Sequence, residues 1–154
     1  MTKLKTIFVF SAGGHYQLFK SVIGDVDAPN IAVSFYSEAL DQEKIFFVKD
    51  ASRGVSNLIA CTFQALGVFV KQRPKCVVSF GAGVAIPFLL IGALLRIRII
   101  HVDLPCQILE PSKTARIAQF LGAELIATVD NQLVRRQRAN IVDYFSFIEV
   151  KENS

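Results

Sequence analysis

Apolar residues along this chain follow two patterns: short unbroken runs, and longer segments in which they recur every three or four positions. An unbroken run suits a strand covered on both faces, and a three-to-four spacing suits a helix with one buried side. Strands are accordingly predicted over Lys3–Phe10, Asn30–Tyr36, Lys44–Val48, Cys76–Phe80, Arg96–Val102, Glu124–Val129 and Asp143–Glu149. Helices are predicted over Tyr16–Val22, Ser56–Gln72, Val84–Leu95 and Asn131–Arg138, and from a cap at Ser112 to Gly122. Strands alternating with helices imply an α/β fold, a Rossmann-like, doubly wound and mostly parallel sheet in a single domain over residues 1–154. No internal repeat, low-complexity tract or interdomain linker interrupts it.

Two segments need arbitration. In Ser56–Gln72 the apolar positions Leu58, Ile59, Thr62, Phe63, Leu66, Phe69 and Val70 recur at helical spacing until Pro74 stops them, which predicts the longest amphipathic helix of the chain. Cys76 to Leu95 is twenty residues without a charge, long enough to span a bilayer. Ser79, Gly81, Gly83 and Pro87 break it where a strand, a turn and a helix's first turn would fall. The segment therefore reads as strand, turn and helix.

Composition adds one surplus. Hydrophobic residues make up 52% and charged ones 19%, with a mean hydropathy of +0.42, so some apolar surface is left over for a partner or a membrane. A net charge of +4 and a pI near 9.1 suit anionic headgroups or phosphorylated substrates. Without a basic stripe interleaved with aromatics, nucleic acid is not an expected partner. Cys61, Cys76 and Cys106 form neither a C-x-x-C pair nor a His-rich cluster, so no disulfide framework and no metal site is expected, and a reducing cytoplasm fits best. The apolar run after Lys3 and Lys5 leads into Gly13-Gly14-His15 rather than a signal-peptidase site, and reads as part of the fold.

The candidate chemistry sits at the ends of two strands. In a doubly wound sheet the ligand crevice opens at the carboxyl ends of the strands where their order reverses. That brings the loops Gly13-Gly14-His15 and Gly81-Ala82-Gly83 face to face. The glycines permit tight turns and close approach of backbone to a ligand, and a helix beginning after each loop offers amides to a phosphate. His15 at that mouth reads either as a proton-transfer group near neutral pH or as a residue that caps the helix and orders the loop. Ile86 stands where a dinucleotide fingerprint needs a third small residue, so no nicotinamide cofactor, and no cofactor at all, is expected. Asp103, at a strand end, reads as a group that orients His15 or a hydroxyl, or as an ordinary loop aspartate. His101 reads as a buried structural residue. Lys113 and Arg116 share one helix face and, with Arg96 and Arg98, either attract anionic headgroups or are a solvated face.

Phe8 to Leu18, with Val77-Val78-Ser79-Phe80-Gly81-Ala82-Gly83-Val84-Ala85-Ile86-Pro87-Phe88, Ile91-Gly92 and Ile100-His101-Val102-Asp103, resembles the acceptor-binding subunit of split GT-B glycosyltransferases. These include the membrane-side subunit of the dolichol-linked N-acetylglucosaminyltransferase and its bacterial capsule and exopolysaccharide counterparts. The peptidoglycan lipid-intermediate transferase is a more distant one-chain relative. The resemblance covers about residues 5 to 130. It implies the N-terminal half of a GT-B fold that binds an undecaprenyl-diphosphate-linked acceptor, while a separate donor-binding subunit holds the nucleotide sugar. It also implies no transfer by this chain alone and a peripheral place on the inner face of the cell membrane. His15 becomes the expected base with Asp103 beside it, and Gly13, Gly14, Gly81, Ala82 and Gly83 make room for the acceptor diphosphate. The family commonly has glutamate where Asp103 stands, and its Ser-rich loop is replaced by Leu104-Pro105-Cys106-Gln107-Ile108-Leu109-Glu110. Leu104, Ile108 and Leu109 are expected to dip into the membrane beside Lys113 and Arg116. The rival readings are a noncatalytic subunit that anchors and stabilises a catalytic partner, and a cofactor-binding oxidoreductase.

Overall fold

The computed structural model describes residues 5–27, 29–40, 45–103 and 112–127. The unbroken apolar runs form strands Thr6–Val9 (β1), Ile31–Phe35 (β2), Ile45–Val48 (β3), Cys76–Ser79 (β4), Arg98–Asp103 (β5) and Glu124–Ala127 (β6). All pair in parallel, in the order β3-β2-β1-β4-β5-β6. The helices between them are Gly14–Val22 (α1), Val55–Gln72 (α2), Ala85–Leu94 (α3) and Lys113–Phe120 (α4).

Burial on both faces explains the unbroken runs. Ile7, Val9, Val77, Ile99 and Leu125 point to one side, where α2, α3 and α4 cover them. Phe8, Phe10, Val78 and Phe80 point to the other, against Leu18, Phe19 and Val22 of α1. Phe19 stacks on Phe10 with ring centroids 4.1 Å apart and meets Phe80 edge-on at 5.6 Å, so one aromatic of α1 clasps the ends of both central strands.

The segment 76–95 divides into strand, turn and helix as its interruptions predict, and among the described residues no helix is long and apolar enough to cross a membrane. Pro87 lies in the first turn of α3, where its missing N–H is not needed. Gly92 lets α3 settle onto the sheet, since a Cβ there would already lie 3.4 Å from Ile99 Cγ1 and 3.5 Å from Val77 Cγ2. The strand expected from Arg96 starts at Arg98 instead. Arg96 adopts φ 54° and the Ile97 N–H returns to the Gly92 carbonyl at 2.9 Å, which makes both part of the helix exit. Ser112 caps α4, its hydroxyl oxygen accepting from the Ala115 N–H at 3.0 Å.

The long helix α2 faces the opposite way from its pattern of large apolar residues. Its buried positions are Cys61, Ala65, Val68 and Phe69. Of the seven positions that predicted its apolar side, Phe69 is the one that is buried, while Phe63 is 70% and Val70 69% exposed. The small side chains of Cys61 and Ala65 let the backbone approach the sheet closely, and the larger residues are left outside. The expected helix over Asn131–Arg138, the strand over Asp143–Glu149 and the loop carrying Leu104, Ile108 and Leu109 lie outside the described residues.

Candidate functional site

The register of β1 with β4 sets Val9 opposite Ser79, so the two central strands end at one level. The Phe80 N–H donates to the Val9 carbonyl at 2.9 Å and the Phe10 N–H to the Val33 carbonyl at 3.1 Å, carrying the pairing one residue further on each side. The chain then leaves through Gly13-Gly14-His15 on one side and Gly81-Ala82-Gly83 on the other. The two loops touch.

Contact is made by His15, in the first turn of α1. Its Nδ1 is hydrogen-bonded to the Phe80 carbonyl. A carbonyl oxygen only accepts, so Nδ1 carries the proton and Nε2 of the neutral ring keeps a lone pair. The ring lies against the Gly81 Cα: a Cβ built there would sit 2.6 Å from His15 Cε1 and 2.9 Å from Nδ1. Gly81 also adopts φ 102°, which L-residues rarely occupy. Burial lowers the His15 pKa from its ordinary 6.5; the Phe80 hydrogen bond and the Asp103 charge oppose that, and His101 adds to it. The imidazole is neutral at pH 7, with its tautomer fixed by the main chain.

Behind the loop lies a buried polar chain that ties β4 to β5. The Gly81 N–H donates to Ser79 Oγ at 3.2 Å, and Ser79 Oγ lies 3.1 Å from His101 Nδ1. His101 is 1% exposed, and its Nε2 stands 3.6 Å from Asp103 Oδ1. Nε2–H is the tautomer that suits a neighbouring carboxylate; Nδ1 then accepts from the Ser79 hydroxyl, whose oxygen accepts from Gly81. Asp103 thus stands against His101 and reaches His15 through space.

A third wall comes from the turn after β3, the short helical turn Ala51–Arg53 capped by Asp50. Asp50 accepts from the Ser52 N–H at 3.0 Å, from Ser52 Oγ at 2.6 Å and from Arg53 Nε at 3.1 Å. Those bonds hold the Asp50 pKa below its ordinary value, against the opposing effect of burial. A Cβ on Gly83 would lie 3.2 Å from Ser52 Cβ, so the Gly81–Gly83 loop is gripped between His15 and this turn. The signal was an aspartate two residues before a serine, a turn-forming pair. Just beyond it, α2 starts with no side-chain cap and no acid in its first turn, and α1 and α3 start the same way. In α3 the Ala85 and Ile86 N–H groups already donate to the Ala82 and Gly83 carbonyls, both at 3.1 Å, and Pro87 has none. The N-termini of α1 and α2 at the carboxyl edge of the sheet are the electropositive setting suited to a phosphate group.

The basic residues divide between the two edges of the sheet. Lys113 and Arg116 are exposed at the start of α4, after the carboxyl end of β5. Arg96 and Arg98 are at the amino edge, and Arg98 donates twice to Glu124, at 3.0 and 2.9 Å. Among the described residues no group of three histidine, cysteine, aspartate or glutamate side chains is placed to hold a metal ion.

No protein-family model and no curated protein matches the sequence. Solved structures do match the fold. MurG of Acinetobacter baumannii superposes with a TM-score of 0.59 at 15% identity, over 90% of this chain and 44% of that one. UDP-N-acetylglucosamine 2-epimerase of Rickettsia bellii gives 0.66 at 14%, over 83% and 39%. The UDP-GlcNAc 2-epimerase of Methanocaldococcus jannaschii gives 0.61 at 12%, over 82% and 40%. The chain spans less than half the length of these neighbours, and its α/β, Rossmann-like fold matches part of their GT-B fold.

Proposed function

We propose that this chain is the acceptor-binding subunit of a two-subunit glycosyltransferase that moves a sugar from a nucleotide sugar onto an undecaprenyl-diphosphate-linked acceptor, in capsular or exopolysaccharide synthesis. The carrying observation is His15, a neutral imidazole held by the Phe80 carbonyl against Gly81 at the carboxyl edge of a half GT-B fold. Sugar transfer to a hydroxyl needs a base for the acceptor proton and a positive environment for phosphates. Nε2 of His15 supplies the first. The uncapped starts of α1 and α2 supply the second, and the loops Gly13-Gly14 and Gly81-Ala82-Gly83 leave room for the acceptor diphosphate. A donor subunit closing over this edge would hold the nucleotide sugar; no cofactor is invoked.

The test is reconstitution with the small donor-domain protein expected to be encoded next door. Neither chain alone transfers sugar to a lipid-linked acceptor, and the mixture does. His15→Asn keeps a donor for the Phe80 carbonyl but lacks the basic nitrogen, and it lowers kcat about a hundredfold or more. If the partner is fully active alone on a soluble acceptor and His15→Asn is silent in the mixture, the chain is instead a noncatalytic anchoring and stabilising subunit.

A further inference from the structure

Outside the crevice, the outer face of α2 carries a row of exposed apolar side chains. At 100° per residue, Val55, Ile59, Phe63, Leu66 and Val70 fall within a sector of about 80°. All five are exposed, from 46% for Leu66 to 73% for Val55. The side chains opposite them already bind the helix to the sheet, so this stripe contributes nothing to the core. On the neighbouring α3, Leu94 is exposed as well, at 83%.

Charge narrows the choice of occupant. No aspartate or glutamate occurs between Asp50 and Asp103, a stretch that includes all of α2 and α3. Lys71, Arg73, Lys75 and Arg96 are exposed where the two helices finish. A second copy docking through this face would be related by a twofold axis, so it would set apolar and cationic groups against the same groups, with no acid in either helix to neutralise them. A donor subunit that closes the crevice approaches the carboxyl edge and leaves the outside of α2 uncovered. An anionic bilayer offers what neither does, since acyl chains accept the stripe and headgroups accept the cations.

We infer that α2 lies along an anionic membrane surface, with its Val55-to-Val70 stripe in the interface and the cations at its end among the headgroups. This puts the contact on the helix rather than on the loop Leu104–Leu109 expected from the sequence. The inference deepens the lipid-acceptor reading and rests on it for its purpose: a helix starting beside Gly83 and lying in the interface would hold the crevice next to the lipid carrier. Its test is independent of transfer.

The measurement is cosedimentation of the whole chain, without partner or donor, with vesicles of phosphatidylglycerol in phosphatidylcholine and of phosphatidylcholine alone. Wild type is expected to bind the anionic vesicles at least about tenfold more tightly, and less so as salt rises from about 0.05 to about 0.5 M. Ile59→Ser with Phe63→Ser, both on exposed positions, weakens binding about tenfold or more while the thermal unfolding midpoint holds. Lys71→Gln with Arg73→Gln reduces the salt dependence without touching the stripe. Wild type ignoring anionic vesicles, or equal binding by the serine variant, overturns the inference. So does binding lost in a Leu104→Ser, Ile108→Ser, Leu109→Ser variant but kept in the α2 variant. A dimer by sedimentation that the serine changes dissociate, without vesicle binding, assigns the face to a second copy instead. His15→Asn binds vesicles as wild type does, so failure of the transferase reading and failure of this one give different results.

Discussion

Replacing Gly81 with alanine isolates the contact on which the site depends. The new methyl would sit 2.6 Å from His15 Cε1, and an ordinary carbon contact of about 3.4 Å requires the ring or the loop to give way by about 0.8 Å. The imidazole cannot retreat that far and keep its bond to the Phe80 carbonyl. The backbone adds its own cost, since φ 102° is strained for an L-residue by about 1–3 kcal/mol. Gly24→Ala is the control: it also has positive φ, 71°, but a Cβ there meets nothing within 4 Å, so it reports strain alone, about 1–2 kcal/mol. We expect Gly81→Ala to destabilise more than Gly24→Ala in urea unfolding. It should also cut transfer by the reconstituted pair about a hundredfold, the usual penalty for a catalytic group misplaced by 1 Å. Burial is the largest influence on the His15 pKa, so a ring pushed toward water should titrate closer to 6.5 in NMR of the imidazole. If that titration is unchanged and Gly81→Ala costs no more than Gly24→Ala, the ring does not rest on Gly81 and the proposed site geometry is wrong.

Stability should fall as pH drops through about 6.5, because the folded-state pKa of His15 lies below that value and the unfolded chain takes up the proton first. It should level off once the folded imidazole is protonated too, and His15→Asn should flatten that part of a stability–pH curve from chemical denaturation. On α2, Ala65→Leu should cost about 1–3 kcal/mol by pushing the helix off the sheet, whereas Phe63→Ser should change stability by no more than about 0.5 kcal/mol. The reverse order in thermal melts would mean that α2 buries its large residues after all.

Strand positions were readable because a parallel strand buried on both faces leaves an unbroken apolar run, and β1 and β4 are such runs. The glycine loops and His15 were readable as a group because their chemistry is local: two glycines before a histidine at the end of a strand. The orientation of α2 was not. That helix is apolar on both sides, and periodicity cannot tell the side that meets a sheet through Cys61 and Ala65 from the side that carries Phe63 and Val70. The partners of His15 were hidden for a different reason. A main-chain carbonyl leaves no mark in a sequence, and the Phe80 oxygen could be assigned only once the strand register was known.

That hydrogen bond joins residues 65 positions apart. His15 is delivered by the first strand and helix, and the group that fixes its proton arrives with the fourth strand, after β2, β3 and α2 have been laid down. Until β1 and β4 pair, His15 is an ordinary solvated imidazole with either nitrogen free to carry the proton. The tautomer of His15 is therefore conditional on long-range closure of the sheet, and a partly folded chain carries both the imidazole and the carbonyl without the pairing that fixes the proton.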